Sequence, residues 1–326
     1  MAATMKMIVF ILVIQSLVLF VFSDKVYFSV KAPPGIHSID LGLFFASFQE
    51  LELGLQSSIN QPIGLDLNPY TSTLYWSDGI KHTIDSYSIE TGEQSVLVST
   101  GDGSNVTDID VDPFGGKLYW SDKVLNTIEC INLDGTGRTV LFQLSKDDPT
   151  TIAFNSETQY LYWATSGGFK AIYRARIGET KALVTTLNET SGGIDFKDDT
   201  IFWIDNYLHK ADLDGNNIIV SLQTSFTPVA NIAIHGDNVY MTDRNLGGIR
   251  WKDINTGSVS SRYSTSFIDH IEDLVYYADP VCAEECNNNG NCEYIEEDVI
   301  VGCSCPFGFG GSTCNTIMGY CDCWNP

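Results

Sequence analysis

Lysine and arginine are scarce in this chain: 18 of them stand against 41 aspartates and glutamates, for a formal net charge of −23. That balance excludes nucleic acid and anionic membrane surfaces as partners, because both are held by clustered cations. The scarcity is sharpest near the C-terminus. No lysine or arginine follows Arg262, whereas acidic residues recur from Asp269 to Asp322. Partners with basic surfaces, or calcium associated diffusely, are the natural consequence; the competing reading is solubility alone.

Cysteine is almost absent from the first 281 residues, where Cys130 stands alone, and the other eight of the nine lie between Cys282 and Cys323. A large first unit must therefore rest on its own apolar core, with a small disulfide module after it. Long apolar runs are missing except for residues 7–22, which follow Lys6 and precede the small Ser23. We read residues 1–23 as a signal peptide cleaved before Asp24. A signal anchor is the rival, but a spanning helix needs about 20 apolar residues. With no second run and no lipid-anchor tail in residues 321–326, the mature chain is expected to be secreted, without a membrane span.

Catalytic signatures are missing too. There is no nucleophile elbow, zinc helix motif or Gly-rich phosphate loop. Among the five histidines, His37, His82, His209, His235 and His270, none stands in a triad context, and each is read as a solvated or turn residue. No catalytic residue, no cofactor and no enzyme activity are assigned.

What is present is an aromatic tetrad that returns. It reads Tyr75-Trp76-Ser77-Asp78, Tyr119-Trp120-Ser121-Asp122 and Tyr162-Trp163-Ala164-Thr165, then more loosely Phe202-Trp203-Ile204-Asp205 and Tyr240-Met241-Thr242-Asp243. Successive copies lie 44, 43, 40 and 38 residues apart, a period that indicates radial sheet repetition. Before each tetrad comes a short apolar stretch, IGLDL, TDIDV, TTIAF, GGIDF and NIAIH in turn. After it come two further strand-like runs, with turns such as Leu133-Asp134-Gly135 and Leu213-Asp214-Gly215, where glycine supplies the positive φ of a tight hairpin. Four short strands per repeat make one antiparallel sheet. The tetrad strand is apolar on both faces, so neighbouring sheets must cover it on both sides. Val26-Tyr27-Phe28-Ser29 matches the tetrad pattern with no inner strand before it, and Ile271–Tyr276 resembles an inner strand with no tetrad after it. Joined, the two pieces complete a sixth sheet and close the ring, which removes open edges.

These repeats resemble the YWTD six-bladed β-propeller (the class B repeat) of the low-density lipoprotein receptor family, shared with nidogen and the Wnt co-receptors. The resemblance implies an all-β propeller over residues 24–281, followed by a small disulfide-rich module over 282–315 that is similar to epidermal growth factor, and a cysteine-containing tail over 316–326. The spacing C-x3-C-x5-C-x10-C-x-C-x8-C alone leaves 15 pairings open for six cysteines. Resemblance to the EGF-like fold implies Cys282–Cys292, Cys286–Cys303 and Cys305–Cys314. Asp279-Pro280-Val281 before the first cysteine and Glu293-Tyr294 after the third do not match that family's calcium-binding pattern. Thr313 stands where receptor agonists of the type carry arginine. The tetrad residues Tyr75, Trp76, Asp78, Tyr119, Trp120, Asp122, Tyr162, Trp163, Trp203, Asp205, Tyr240 and Asp243 are read as makers of the blade core.

Three further features are candidate sites. Asp66, Asp110 and Asp195 share one register of three inner strands and could jointly hold a cation, for which oxygen ligands are suited; the alternative is a hydrogen bond from each to a neighbouring strand. Asn105-Val106-Thr107 and Asn188-Glu189-Thr190 are N-glycosylation sequons. Cys130 reads as a buried small hydrophobe or as a partner for Cys321 or Cys323. The reading overall is of a secreted, non-enzymatic interaction protein, an extracellular or mineralised matrix glycoprotein that binds protein partners on the propeller face. A soluble ligand or antagonist of a cell-surface receptor is the alternative, and a propeller lactonase a distant one.

Overall fold

The first strand of each repeat is followed, through a turn, by the tetrad strand, and the two pair antiparallel in register: Ile109 faces Trp120 and Asp110 faces Tyr119 in the second repeat. Two more strands add outward. The computed structural model describes residues 25–32, 34–40, 47–49, 59–223, 229–243, 248–257, 259–264, 269–277, 291–295, 300–304, 309–310 and 316–317. Within them are six four-stranded sheets, and the protein is an all-β, six-bladed propeller.

Five blades are continuous in sequence. Their inner and tetrad strands are Pro62–Asn68 with Thr73–Asp78, Val106–Asp112 with Lys117–Asp122, Pro149–Asn155 with Tyr160–Thr165, Gly193–Lys197 with Thr200–Ile204, and Ile232–His235 with Asn238–Asp243. The sixth joins the two ends of the ring. Its inner strand Asp269–Tyr277 pairs with the tetrad-like strand Lys25–Ala32, Phe28 opposite Leu274. This closing blade is the one that the sequence pattern predicts from its two unmatched halves. Gly135 and Gly215 take φ +83° in their hairpins, a conformation that costs glycine little.

The tetrad explains how blades adhere. Its first aromatic packs into one seam and its second into the other, so each seam holds the first position of one blade and the second of the next. Tyr27 shares a cluster with Trp76, Tyr75 with Trp120, and Tyr119 with Trp163. Around the ring, Tyr162 meets Trp203, Phe202 meets Met241, and Tyr240 meets Phe28. Trp76, Trp120 and Trp163 are fully buried. An aromatic of this size removes about 150–250 Å² from water, worth roughly 4–6 kcal/mol. Alternation along a strand places neighbours on opposite faces, and two successive aromatics thereby serve two seams. Met241 fills its seam without a ring, as an unbranched side chain can.

Three histidines differ from their expected solvated or turn placement, and one of them, His235, stacks on Tyr276 at 3.9 Å from the end of an inner strand. His37 is buried in a strand and stacks on Phe28 at 5.6 Å. His209 stacks on Trp203 at 5.2 Å and bonds Asp205 at 2.9 Å. All three complete aromatic packing that tetrad counting does not reveal. Past the propeller, Asn291–Ile295 pairs with Ile300–Ser304, which sets Cys292 opposite Cys303 along the backbone. Residues 1–23, Cys282, Cys286, Cys305, Cys314, Cys321 and Cys323 lie outside the described residues, as do the side chains of Cys292, Cys303, Asp243 and His270.

Candidate functional site

In a propeller the inner strand of each sheet has one partner, so its second edge faces the central channel with backbone N–H groups still to be satisfied. Acidic side chains from the preceding blade meet that need. Asp66 accepts from Val111 N–H at 2.6 Å, Asp110 from Phe154 N–H at 3.1 Å and Asp195 from Ile234 N–H at 2.6 Å. One tier nearer the start of the strands, Asp108 accepts from Ile152 N–H at 2.9 Å and from the Thr151 hydroxyl at 2.6 Å. Asp273 does the same for Leu65 N–H at 2.6 Å, and is itself bonded by the Asn231 amide.

Where the preceding blade offers no acceptor, the residue folds back on its own chain. Gly64 precedes the second blade at this register, and there Asp108 accepts from its own neighbour Ile109 at 3.0 Å. Gly193 precedes the fifth, and Asn231 accepts from Ile232 at 2.7 Å. A Cβ on Gly193 would come within 2.1 Å of Asn231 Oδ1, so the glycine is what lets the two inner strands approach.

The three aspartates singled out in sequence thus each bridge two blades. They line one channel cavity of about 230 Å³ with Asp108 and Asn231. Burial pushes the Asp66 carboxyl up to about 7, with repulsion from Asp108 and Asp195 adding to it, and Asp195 to about 6. Burial likewise raises Asp108 to about 6 and carries Asp110 and Asp273 well above the ordinary carboxylate range. Among the described residues, no group of three or more acidic, histidine or cysteine side chains is arranged to hold a metal ion.

Above this channel opens a funnel of about 580 Å³, at the face where the inner strands begin. Its wall is mostly neutral and hydrogen-bonding: Gln61, Asn105, Thr107, Thr150, Thr190 and Asn231. Lys31, Lys123 and Glu272 add charge, and Asp108 and Asp273 reach it from the tier below. Asn105 lines this funnel and Asn188 is exposed on the same side, so both sequons lie on the funnel face.

The tetrad's last residue builds that face. Asp122 accepts from Val124 and Leu125 N–H at 3.0 and 2.8 Å, turning the loop after the tetrad strand. Its other oxygen accepts from the Ser104 hydroxyl at 2.5 Å, and Asn105 N–H is shared by both oxygens at 3.2 Å, which holds the connection between blades. Asp78 repeats the device with Ile80, Lys81 and Asn60. In the third blade Thr165 accepts from Ala171 N–H at 3.2 Å, and in the fifth Thr242 accepts from Ala230 and Asn231 N–H. The tetrad's polar end therefore locks the loops that form the funnel rim, a role that spacing does not disclose. Cys130 is buried in the seam it shares with Tyr119 and Trp163, and burial pushes its thiol up, disfavouring thiolate.

The comparisons agree with this architecture. The chain is 28% identical over 306 residues to low-density lipoprotein receptor-related protein 5 of Homo sapiens, covering 87% of this chain and 18% of that protein. The Mus musculus protein of the same name is 28% identical over 190 residues, covering 53% of this chain and 12% of the relative. The chain thus spans less than a fifth of the curated relatives it matches. Among solved structures it is similar to one described as a nidogen/laminin complex, with TM-score 0.68 and 17% identity, covering 79% of this chain and 99% of that one. A gluconolactonase of Xanthomonas campestris matches less well, with TM-score 0.54 and 13% identity over 64% of this chain and 77% of that one. No protein-family model matches. Together these support a propeller like that of the low-density lipoprotein receptor family. Among the described residues no helix is long and apolar enough to cross a membrane.

Proposed function

We propose that this protein is a secreted, non-enzymatic interaction module that receives an extracellular protein partner in the funnel at the start of its inner strands. The observation that carries this reading is the funnel itself: an open depression of about 580 Å³ walled by threonine, serine and amide groups, on loops held rigid by the tetrad aspartates. Such a wall offers donors and acceptors to a peptide backbone, and preformed loops lower the ordering cost of binding. The channel carboxylates beneath are engaged with backbone N–H groups, a structural role that supports the non-enzymatic reading. Similarity to the nidogen propeller, solved in complex with laminin, favours a matrix partner, and the expected leader over residues 1–23 favours secretion.

The test is proximity labelling by the full chain expressed in its native tissue, beside a Thr150→Arg variant that fills the funnel. Extracellular proteins labelled by the native chain and lost with the variant are the expected result. An identical labelled set for both would overturn the funnel as the docking site. Intracellular labelling would overturn secretion.

A further inference from the structure

The seam between the fourth and fifth blades opens into a cleft of about 300 Å³ on the face opposite the funnel, where the inner strands end. Phe202 and Ile254 are its buried apolar lining, and Ile219 stands 54% exposed beside them. Thr200, Lys210 and Asn255 supply polar groups. A cavity of this size reaches the lower end of the range that small ligands use.

The preceding seam shows how the same position is filled from within. The third blade carries Tyr160, Tyr162 and Arg174 at the registers of Thr200, Phe202 and Lys210. There Arg174 lies 4.6 Å over the Tyr160 ring and donates to Leu213 O at 2.6 Å and to the Asp214 carboxylate. The Tyr162 hydroxyl donates to the same carbonyl at 2.9 Å, and the two tyrosine rings meet at 6.3 Å. In the fourth blade threonine replaces one ring, phenylalanine lacks the hydroxyl and lysine replaces the guanidinium. Ile254 and Asn255 follow their strand as Leu213 and Asp214 follow theirs, so the carboxylate that Arg174 meets becomes an amide here. Smaller groups on both sides of one seam account for the cleft.

The charges around it are mostly spent. Lys197 donates to Gly236 O at 2.9 Å and to Asp237 at 2.8 Å. Asp212 accepts three bonds within its own turn, from Asp214 and Asn216 N–H and from the Asn217 amide. Asp198 is exposed on a turn. Lys210, half-buried, has no hydrogen-bond or ion-pair partner among the described residues. An ammonium beside an apolar wall is suited to the face of an aromatic ring.

We infer that this cleft binds a phenol-type aromatic ring, seated against Phe202 and Ile254 with the Lys210 ammonium over its face, in the place that Tyr160 takes one seam earlier. The inference is independent of the funnel, which lies on the other face. A free small phenol and the tyrosine side chain of a partner protein share this chemistry.

Ligand-observed saturation-transfer NMR on the full chain tests it, with p-cresol as the free ring and a blocked tripeptide, tyrosine between two glycines, as the presented one. Saturable p-cresol binding at about millimolar affinity is expected, with 4-methylcyclohexanol, which lacks the π face, bound less well. Thr200→Tyr supplies the ring internally and should abolish the signal without lowering the melting temperature. Lys210→Met keeps the apolar stem and should weaken binding roughly two- to fivefold; it carries the test if Thr200→Tyr folds poorly. Val140→Asp, on the outer strand of the second blade, should leave binding unchanged. Binding of the tripeptide as well as p-cresol assigns a partner's tyrosine, and binding of p-cresol alone assigns a small molecule. No saturable signal, equal binding of the cyclohexyl compound, or binding undiminished in both cleft variants would overturn the inference.

Discussion

The Asp66 carboxylate accepts a hydrogen bond from the backbone N–H of Val111 at 2.6 Å, across the seam between the first and second blades. An edge that would otherwise be unpaired is thereby closed by a side chain from the adjacent sheet. Replacement by alanine leaves the Val111 N–H buried without an acceptor, which costs about 1–3 kcal/mol. Asp66→Asn keeps an acceptor oxygen and should fall well below that cost. Urea unfolding of both variants checks this. Equal losses would show that the side chain acts through packing and not through the bond.

The same carboxyls give the propeller an unusual pH dependence. The folded-state value of Asp66 is raised to about 7, and those of Asp108 and Asp195 to about 6, above the ordinary 3.8. The folded state thus binds more protons than the unfolded one between those limits, and linkage makes their contribution fully present below about pH 3.8. It is lost as pH rises through 6 to 7. Wild-type stability measured from pH 4.5 to 7.5 should therefore fall more steeply than that of Asp66→Asn, whose amide does not titrate. Parallel curves would refute the assignment of this slope to Asp66.

The ring was legible in the sequence because tetrads are local: Tyr75-Trp76 and Tyr119-Trp120 announce strands that must be covered on both faces. Closure was legible from two orphan halves, residues 26–29 and 271–276. The seam rule was not. That Tyr75 meets Trp120 while Trp76 meets Tyr27 depends on how one sheet rotates against the next. The work of Asp66, Asp110 and Asp195 was half visible, since a shared register suggests either a common ion or separate bonds and only inter-blade geometry distinguishes them. The funnel was hidden because Asn105 and Lys123, which lie in separate loops of the sequence, are brought together at it by the bonds that Asp122 makes.

The sequons make a sharper test now that they have places. Asn188 is exposed, whereas Asn105 lines the funnel and its backbone is tied to Asp122. A glycan at Asn105 would stand where a partner is expected to dock. Mass spectrometry of the chain expressed through a secretory pathway, with enzymatic deglycosylation, should find sugar on Asn188 and an unmodified Asn105. Asn188→Gln should leave the proximity-labelled set of extracellular proteins unchanged. Full occupancy at Asn105 together with undiminished labelling of extracellular partners would place the docking surface elsewhere.

Asp122 offers the strictest separation of fold from function in the tetrad. Its ring neighbours Tyr119 and Trp120 lie in seams, but its carboxylate ties Ser104, Asn105, Val124 and Leu125. Asp122→Ala frees several buried or half-buried donors at once, each costing about 1 kcal/mol or more. We expect a loss of roughly 3 kcal/mol in unfolding experiments. Asp122→Asn keeps one oxygen for the Val124 and Leu125 N–H groups but turns its amide toward the Ser104 hydroxyl, and Asn105 N–H keeps only the half of its shared bond that goes to the retained oxygen. The blade should stay folded while the connection at Asn105 loosens. Amide hydrogen exchange on the asparagine variant is the discriminating measurement. Faster exchange at Asn105, with Val124 and Leu125 still protected, would show that the oxygen facing Ser104 carries the connection between blades. Loss of partner labelling in that state would then tie partner binding to the rim connection, because the seam aromatics would be intact.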